Sequence, residues 1–420
     1  MLDKISPSKS SVETVTGNWL GGDQVAAKRA LKQRYPTVLD MRARAQRRLP
    51  RFAFEYLDGG AGADTGIDRN WKAFDAIELV PRYGQVVSPP PTDTTLFGRP
   101  YAAPFGISPI GGPGTAYPGA EVFLARAAQA ARIPYTIGVL SAVTIERAIE
   151  LAPDVLWLQL YRFARDEHRI GLDLVRRAKA VGVQALVLTW DTPVRTTRPR
   201  EVKSGIVNPF RLTNRLRLDA MTSLPWLLSM VRNGIPRFAS LRPYMDGKTS
   251  FADAAAFMRR ESGGAFTWDE ISRYRDAWEG PLLLKGVLHP EDAERAIALG
   301  IDGLHVTNHG GRQIDALPAS IDVLPAIAAQ VGGKATIIVD SGVRSGVDVA
   351  RGVARGADAA FAGKAFLWSL GALGEQGPGH LIDLFQEELS ATLGQLGCAA
   401  VGDLRSVTVR HANAYRQQDF

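Results

Sequence analysis

The sequence predicts an α/β protein, namely a single (β/α)8 TIM barrel with an N-terminal extension and a long insertion after its fourth strand. Eight short apolar, β-branched runs recur along the chain, and segments with helical spacing of apolar residues separate them. Runs that are apolar on both faces indicate parallel strands buried on both sides of a sheet. Eight such units in one chain favour a closed barrel over a doubly wound sheet.

The predicted elements follow one another regularly. The strands are expected at residues 105–109, 135–138, 155–161, 185–191, 282–286, 303–308, 336–340 and 359–363. Helices between them include the amphipathic segments 121–132, 173–181 and 291–299. Alternation of strand and helix at this length is the pattern of repeated βα units.

Outside the repeat, the chain divides into an N-terminal extension (1–35), the barrel (36–400) and a C-terminal tail (401–420). A helix at 37–49 is expected to lead into the barrel. The insertion covers about 199–265, between the fourth and fifth strands. A connection of that length at the catalytic face is typically a lid, a binding surface or disordered.

Composition narrows the class of protein. The chain has 420 residues, 45% hydrophobic and 22% charged, as in soluble globular proteins. A single cysteine, Cys398, excludes an internal disulfide and a multi-thiolate metal cluster. The polar start predicts no secretory signal, and no apolar run is long enough to predict a membrane-spanning helix. The histidines have no metal-ligand spacing, so no metal site is predicted.

The net charge of +7 is compatible with anionic partners. The arginines are scattered over predicted helices without interleaved aromatic residues, so nucleic-acid binding is not expected.

Reactive residues fall where the predicted strands end. They are Gln159 and Tyr161 at the third strand, Asp191 at the fourth, Lys285 at the fifth, His309 after the sixth, and Asp340, Ser341 and Gly342 after the seventh. Active sites of (β/α)8 barrels lie at the carboxyl ends of the strands, so these side chains are expected to converge.

The segment Thr307–Gln313 contains the most informative of these residues. His309 can accept a proton near neutral pH, and Arg312 can hold a carboxylate through two parallel hydrogen bonds. Two glycines separate them and permit close approach of backbone and substrate. The pattern indicates binding of an acid and removal of a proton beside its carboxylate. Taken alone, it is equally compatible with a tight turn that exposes an arginine.

Together these residues resemble the FMN-dependent α-hydroxy-acid dehydrogenase/oxidase family, from about Tyr35 to Gly397. The resemblance implies FMN as cofactor and oxidation of a lactate-like L-2-hydroxy acid to the 2-oxo acid. It implies His309 as the base, Asp191 as its partner, and Arg312 as a carboxylate ligand.

The remaining roles are implied by the same resemblance. Substrate would also meet Tyr56, Tyr161 and a second arginine, Arg198, although Arg200 in the same Arg-Pro-Arg-Glu run leaves that register open. The residues implied for FMN are Lys285 near N1, Gln159 and Thr189 at the polar edge of the ring, Pro109, Ile110 and Gly111 beside N5, and Asp340, Ser341, Gly342, Arg344, Gly363 and Lys364 at the phosphate.

Three positions depart from the family pattern. Lys364 stands where an arginine is usual, Gly138 where a serine is frequent, and Leu140 where some members have tryptophan. A lysine still neutralises phosphate, but without the guanidinium fork.

Alternative interpretations remain open at this level. Asp191 alone is compatible with a helix cap, Tyr161 with a packed barrel aromatic, and His305 is expected to be structural. Other proteins compatible with an FMN barrel are an isomerase that acts on a phosphorylated substrate and a non-catalytic flavin-binding scaffold.

The basic segment 209–236 of the insertion, with Trp226 and several leucines, resembles the insertion of membrane-attached members of the family. Gly111 agrees, because the family's dehydrogenases typically have glycine there and its oxidases alanine. The sequence therefore predicts a cytoplasmic protein, peripheral on the inner face of the cell membrane, that passes electrons to a quinone. The alternatives are a lid helix or an oligomer contact in a soluble oxidase that produces hydrogen peroxide. A homo-oligomer, by analogy a tetramer, is expected.

Overall fold

The computed structural model describes residues 22–84, 88–194, 196–205, 213–245, 247 and 251–420. Within these ranges, eight parallel strands form a closed barrel in which each strand pairs with the next and the last returns to the first. The strands are β1 (Phe105–Ile110), β2 (Tyr135–Gly138), β3 (Leu156–Leu160), β4 (Ala185–Thr189), β5 (Leu282–Val287), β6 (Gly303–Val306), β7 (Thr336–Val339) and β8 (Ala359–Ala362). The predicted (β/α)8 barrel is confirmed.

Helices surround the barrel. Those that follow or precede the barrel strands are Pro113–Ala116, Ala120–Ala131, Ile145–Leu151, Arg165–Val181, Trp268–Ala277, Pro290–Ala298, Ser320–Val331, Gly346–Ala354, Lys364–Leu373 and Gln376–Leu396. Before the barrel lie Gly22–Arg34, Val38–Arg48, Arg51–Asp58 and Thr65–Asp75. Short strands lie at Glu78–Val80, Thr94–Leu96, Arg99–Tyr101 and Thr408–Arg410, and 3-10 turns at His309–Gly311, Val401–Ser406 and Gln417–Asp419.

The insertion is helical in its described parts. Its elements are Pro199–Ser204, Asn214–Met221, Leu224–Asn233, the 3-10 helix Ala239–Tyr244, and Phe251–Glu261. Pro209, Phe210, Arg211 and Leu212, which begin the predicted interfacial segment, lie outside the described residues.

Several predicted strands were too long at their carboxyl ends. The fourth ends at Thr189 and not at Asp191, and the sixth ends at Val306 and not at Asn308. Residues beyond these ends leave the hydrogen-bonded ladder to form loops, which is where barrel enzymes place their functional side chains.

The predicted helix at 37–49 begins with a reciprocal cap, in which Thr37 N donates to Asp40 Oδ2 at 3.0 Å and Asp40 N donates to Thr37 Oγ1 at 3.3 Å. This helix packs against Lys364–Leu373 at Gly371, where a Cβ would lie 2.7 Å from Leu49 Cδ1. Glycine therefore allows the close helix contact that covers this side of the barrel.

A buried carboxylate connects the amino-terminal helices to the barrel. Asp58 accepts hydrogen bonds from Arg42 at 2.7 and 2.8 Å, Arg200 at 2.8 Å and Trp368 at 3.0 Å. Burial would raise the pKa of Asp58, but the Arg42 and Arg200 guanidinium groups and Lys364 hold it below its ordinary value. This network fixes the helix that carries Tyr56 relative to β8.

The segment 401–420, predicted as a tail, lies against the barrel domain. Thr408–Arg410 pairs antiparallel with Glu78–Val80, and His411 Nε2 lies 2.8 Å from Asp322 Oδ1. The predicted domain boundaries stay predictions.

Candidate active site

A single cavity of about 520 Å³ holds most of the predicted site residues. Those on its surface are Tyr56, Pro109, Ile110, Gly111, Tyr161, Arg198, Lys285, His309, Arg312, Asp340, Ser341, Gly342, Arg344, Gly363 and Lys364. Because they come from the carboxyl ends of seven strands, or the loops that follow them, and from the helix before the barrel, the topology brings them together.

Gln159 and Thr189 do not contribute to the cavity surface. Both are buried in the barrel, and Gln159 Nε2 donates to Thr189 Oγ1 at 2.7 Å. At the neighbouring departure from the family pattern, a Cβ on Gly138 would lie 3.0 Å from Gln159 Oε1. Glycine thus gives the Gln159 side chain room in this conformation.

The backbone N–H groups of the loop that carries His309 donate hydrogen bonds to nearby side chains. His309 has a φ of 60°, in the left-handed region, and its N–H donates to Thr307 Oγ1 at 3.0 Å. Ser341 Oγ accepts from Gly310 N at 2.9 Å, and Asn308 Oδ1 accepts from Gly311 N at 3.1 Å. A left-handed histidine is uncommon, and such conformations cluster at functional sites.

His309 and Asp191 form a buried pair. His309 Nδ1 lies 2.9 Å from Asp191 Oδ1, and Lys285 Nζ lies 3.5 Å from Asp191 Oδ2. Burial would raise the pKa of Asp191, but His309 and Lys285 lower it below its ordinary value. Asp191 is therefore ionised at neutral pH and can only accept a hydrogen bond from His309. The neutral histidine thus carries its hydrogen on Nδ1 and its lone pair on Nε2.

Burial also affects the pKa of His309. Desolvation lowers the pKa of His309, Asp191 opposes that effect, and Lys285 adds to it. The net direction is downward, which keeps the ring neutral and able to accept a proton.

Two contacts fix Asp191. Gly286 has a φ of 113°, and a Cβ there would lie 2.4 Å from Asp191 Cβ. Gln313 Nε2 donates to the backbone carbonyl of Asp191. Only glycine fits at 286, because it combines a positive φ with this close approach.

The two predicted carboxylate-binding arginines meet at the cavity. Arg312 Nη1 donates to Tyr56 O at 2.8 Å and to Gly59 O at 2.9 Å. Arg198 Nε donates to the Arg312 carbonyl at 3.2 Å. Burial and the neighbouring Arg198 charge lower the pKa of Arg312. The guanidinium stays charged, because the ordinary pKa of arginine is far above neutral.

The register question of the Arg-Pro-Arg-Glu run has a geometric answer. Arg200 donates to Glu55 and, at 2.8 Å each, to Asp58 and Asp64, and its side chain is away from the cavity surface. Arg198 lies on the cavity surface beside Arg312. Arg198 is thus the residue placed to meet a substrate.

One side of the cavity is formed by Tyr56, Tyr161, Gly111 and Leu140. Tyr56 Oη donates to the Gly111 carbonyl, and burial raises the pKa of Tyr56 to about 12. A Cβ at Gly111 would lie 3.6 Å from Tyr161 Oη and 3.7 Å from Leu140 Cδ1. Tyr56 is therefore protonated at neutral pH, as its hydrogen bond to the Gly111 carbonyl requires.

The other end of the cavity is cationic. Arg344 stacks on Trp71, with 4.8 Å from Cζ to the ring centroid, and donates to Asp75 Oδ1 at 3.0 Å. Lys364 Nζ donates to Asp58 O at 2.7 Å and to Gly59 O at 2.9 Å, and burial lowers the pKa of Lys364 well below its ordinary range. When it is protonated, Lys364 has three N–H donors, so one remains for an anion, and the anion's negative charge would favour that protonated form.

This donor set fits a flavin mononucleotide. The ten-residue helix Lys364–Leu373 begins at Gly363 on the cavity surface, and a helix amino terminus with two cations beside it suits a phosphate. Lys285, also on the cavity surface, provides a further positive charge, which suits the polar edge of a flavin ring.

Asp340 holds the loop after β7, which carries Ser341 and Gly342, through hydrogen bonds to its carboxylate. Its carboxylate accepts from Ser108 Oγ and Ser341 Oγ at 2.9 and 2.8 Å, and His305 Nε2 lies 2.9 Å from Oδ2. Burial would raise the pKa of Asp340, but His305, the Lys285 charge and the Thr307 hydroxyl lower it strongly. Asp340 therefore braces the loop, and His305 pairs with it away from the cavity surface.

Sequence reasoning missed several supporting residues. They are Asn70, Ser108, Glu201, Asn308 and Gln313. Asn70 and Asn308 exchange amide hydrogen bonds of 2.9 and 2.6 Å across 238 residues of sequence. Asn308 and Gln313 flank the His-Gly-Gly-Arg run and could have been chosen for that reason, but no local signal points to Asn70.

Comparison with known proteins agrees with this geometry. The model of the FMN-dependent dehydrogenase family matches residues 45–411. The chain is 36% identical over 366 residues to an L-lactate dehydrogenase of Pseudomonas aeruginosa strain LESB58, covering 87% of this chain and 95% of the relative. It is 37% identical over 368 residues to an L-lactate dehydrogenase of Chromohalobacter salexigens, covering 87% and 93%.

Solved structures are similar as well. A monotopic membrane protein, (S)-mandelate dehydrogenase, superposes with a TM-score of 0.83 at 33% identity, covering 89% of this chain and 99% of that one. A mandelate oxidase with (S)-4-hydroxymandelic acid gives a TM-score of 0.77 at 32% identity, covering 90% and 99%.

The matched region contains the whole barrel and every predicted site residue, which defines the class as a flavin-dependent oxidoreductase. The chain belongs to the FMN-dependent dehydrogenase family, and FMN is its cofactor.

Proposed function

We propose that this protein oxidises an L-2-hydroxy acid to the corresponding 2-oxo acid with FMN and passes the electrons to a membrane quinone. The observation that supports the reaction most strongly is the His309–Asp191 pair at 2.9 Å, with Arg312 three residues further along the same loop. L-Lactate dehydrogenase relatives and mandelate dehydrogenase structures agree with it.

His309 holds the proton-accepting role. Asp191 fixes the hydrogen on Nδ1, so Nε2 is the atom that takes a proton from the substrate. The resulting imidazolium is stabilised by the Asp191 carboxylate, and the ring is already oriented before substrate binds. The bound FMN supplies the two-electron oxidation.

The arginines orient the substrate. Arg312 is anchored through Nη1 to two backbone carbonyls, so its remaining donors point in fixed directions. A carboxylate held by Arg312 and Arg198 places the α-carbon beside His309, which turns a bimolecular encounter into a positioned one. Lys285 offsets negative charge that develops near the cofactor ring.

The wall next to Tyr161 indicates an apolar substrate side chain. Leu140, Phe238 and Met258 line the cavity there, and Ala239 N donates to Ser141 O at 2.9 Å, which holds the end of the insertion beside the Leu140 loop. A side chain larger than methyl would gain burial against these residues.

Anaerobic spectroscopy tests the reaction. Purified protein with FMN should be bleached by at least one of L-lactate, L-mandelate and glycolate, and the product should be the 2-oxo acid. Flavin that a broad panel of 2-hydroxy acids fails to reduce would refute the proposal. Turnover of a phosphorylated substrate without net oxidation would instead support the isomerase alternative.

Membrane attachment is proposed from the insertion. The helix Leu224–Asn233 packs one face on the barrel, where Trp226 Nε1 donates to Ala116 O at 3.2 Å and Ser229 Oγ donates to Pro118 O at 2.7 Å. Its opposite face leaves Leu224 65% exposed and Val231 80% exposed. Part of this segment therefore contacts the barrel, as the lid interpretation expects, but its outer face lacks a protein partner among the described residues.

The exposed surface has the composition of an interfacial segment. Further exposed apolar side chains are Leu218, Met221, Leu228 and Ile235, and exposed basic ones are Arg215, Arg217, Arg232 and Arg237. Apolar residues bordered by arginines suit the boundary of an anionic bilayer. We propose from this surface that the protein attaches to one face of a bilayer. In the described part of the chain, no helix has the length and hydropathy to cross a membrane.

A vesicle flotation assay tests the attachment. The protein should float with phosphatidylglycerol vesicles and less with neutral ones, and Val231→Glu should abolish flotation. Leu39→Glu, which changes an exposed leucine on another helix, is the matched control. Failure of the parent protein to float, or unchanged flotation of Val231→Glu, would contradict the proposal.

The electron acceptor is tested by reoxidation of the reduced flavin. Gly111 is the residue typical of the family's dehydrogenases, so reoxidation by a ubiquinone analogue should be much faster than by oxygen. Rapid peroxide formation would favour a soluble oxidase.

We also propose that the protein forms a homo-oligomer. Light scattering that shows a monomer at micromolar concentration would overturn this proposal.

A further inference from the structure

Glu201 connects the two arginines of the substrate site. Its Oε1 accepts from Arg312 Nη2 at 2.7 Å and lies 3.3 Å from Arg198 Nη1. The side chain is 14% exposed and lies on the cavity surface. It comes from the short helix Pro199–Ser204 at the start of the insertion, so one helical turn carries both Arg198 and its partner.

The donor inventory of Arg312 gives Glu201 a specific effect. A guanidinium has five N–H donors. Both Nη1 hydrogens serve Tyr56 O and Gly59 O, and one Nη2 hydrogen serves Glu201. The Nε hydrogen and the second Nη2 hydrogen have no acceptor among the described residues. The Nε and Nη2 groups share one edge of the guanidinium, and that edge forms a fork that matches a carboxylate.

Charge gives a second effect. Arg198 and Arg312 are neighbouring like charges: Arg198 Nε donates to the Arg312 carbonyl, and the Arg198 charge is among the causes that lower the pKa of Arg312. The Glu201 carboxylate opposes that repulsion and pairs with both. With Glu201 the three groups carry a net charge of about +1, which one substrate carboxylate neutralises.

We propose that Glu201 is a positioning residue for the substrate. It holds Arg198 and Arg312 together and occupies one edge of Arg312, so that the other edge receives the carboxylate of the 2-hydroxy acid. This inference rests on the proposed oxidation of 2-hydroxy acids and adds the residue that orients its two arginines.

The test compares Glu201→Gln and Glu201→Ala with the parent, all loaded with FMN. Glu201→Ala should raise KM for the 2-hydroxy acid about tenfold or more, because a charge-assisted hydrogen bond to Arg312 is lost. Glu201→Gln, which keeps an acceptor oxygen without the charge, should fall between Glu201→Ala and the parent. In both variants kcat should change less than KM.

A direct binding measurement separates positioning from structural damage. Pyruvate, titrated into the oxidised protein and followed by perturbation of the flavin spectrum, should bind more weakly in the same order. The FMN dissociation constant and Tm should not change. Lys203→Gln, an exposed charge change on the same helix, should match the parent in every measurement.

The outcomes are distinct. Tighter pyruvate binding in Glu201→Gln would show that Glu201 competes with substrate and would overturn the proposal. Unchanged KM and pyruvate affinity in both variants would also overturn the proposal. A lower Tm together with weaker FMN binding would do the same, because it would indicate a general structural role. If the parent protein itself oxidises no 2-hydroxy acid, the proposed function fails, while pyruvate binding still tests Glu201.

Discussion

His309 Nδ1 lies 2.9 Å from Asp191 Oδ1, although 118 residues separate the two in sequence. The strand ends of β4 and β6 bring them together, and Gly286 permits the close approach of Asp191. Lys285, 3.5 Å from the second carboxylate oxygen, makes a protonated Asp191 unfavourable. The pair is therefore an ionised carboxylate that orients a neutral imidazole.

Asp191→Asn should lower kcat by about 10²-fold or more, because the amide cannot stabilise the imidazolium and can present its NH2 group to Nδ1. FMN content and Tm should stay near those of the parent protein. Steady-state kinetics on protein of matched flavin content provide the measurement. A variant with nearly normal turnover would show that Asp191 only caps its loop.

The pH profile should follow the His309 pKa. Burial lowers that pKa from its ordinary value of 6.5, so the acidic limb of kcat/KM, where the base becomes protonated, should have its midpoint below pH 6.5. Asp191 raises the pKa of His309 against burial, so Asp191→Asn should move the acidic limb still lower. An acidic limb above pH 6.5 in the parent protein would contradict this direction.

Gly286→Ala should destabilise the protein and reduce its activity. The new Cβ would lie 2.4 Å from Asp191 Cβ at a φ of 113°, so the loop must shift. We expect a loss of about 2 kcal/mol in the free energy of unfolding, together with lower kcat. Chemical denaturation measures the first effect. Gly379→Ala is the control, because no atom lies within 4 Å of its added Cβ, and equal behaviour of the two variants would argue against the Asp191 contact.

Arg312→Lys should raise KM and lower kcat together. A lysine has no fork, so it cannot serve Tyr56 O, Gly59 O, Glu201 and substrate in the same geometry. Arg200→Lys provides a comparison at an arginine that pairs with three carboxylates away from the cavity, where the main effect should be on Tm. Substrate kinetics of Arg312→Lys near those of the parent would remove Arg312 from the site.

The sequence was sufficient to predict the barrel because each βα unit repeats the same burial pattern. It also placed the reactive residues, since Asp191 and His309 follow strands, and Lys285 lies near the end of one, whose carboxyl ends must meet. The actual strand ends were less predictable, because hydrogen bonding and not hydropathy decides where β4 stops.

Other features depend on tertiary contacts that leave no local pattern. The Asn70–Asn308 amide pair joins a helix before the barrel to the loop after β6. In the sequence Glu201 resembles an ordinary residue of an exposed helix, because its hydrogen bond with Arg312 forms only in the folded protein. Gln159 and Thr189 are buried in the barrel, and their mutual hydrogen bond of 2.7 Å depends on the pairing of two strands.

The most direct test of the central claim is the rate of anaerobic flavin reduction in His309→Gln. The variant should bind FMN and unfold at the same temperature as the parent protein, but a 2-hydroxy acid that bleaches the parent should reduce its flavin about 10²–10⁴-fold more slowly. Reduction of the His309→Gln flavin at a rate near that of the parent would contradict the assignment of His309 as the base.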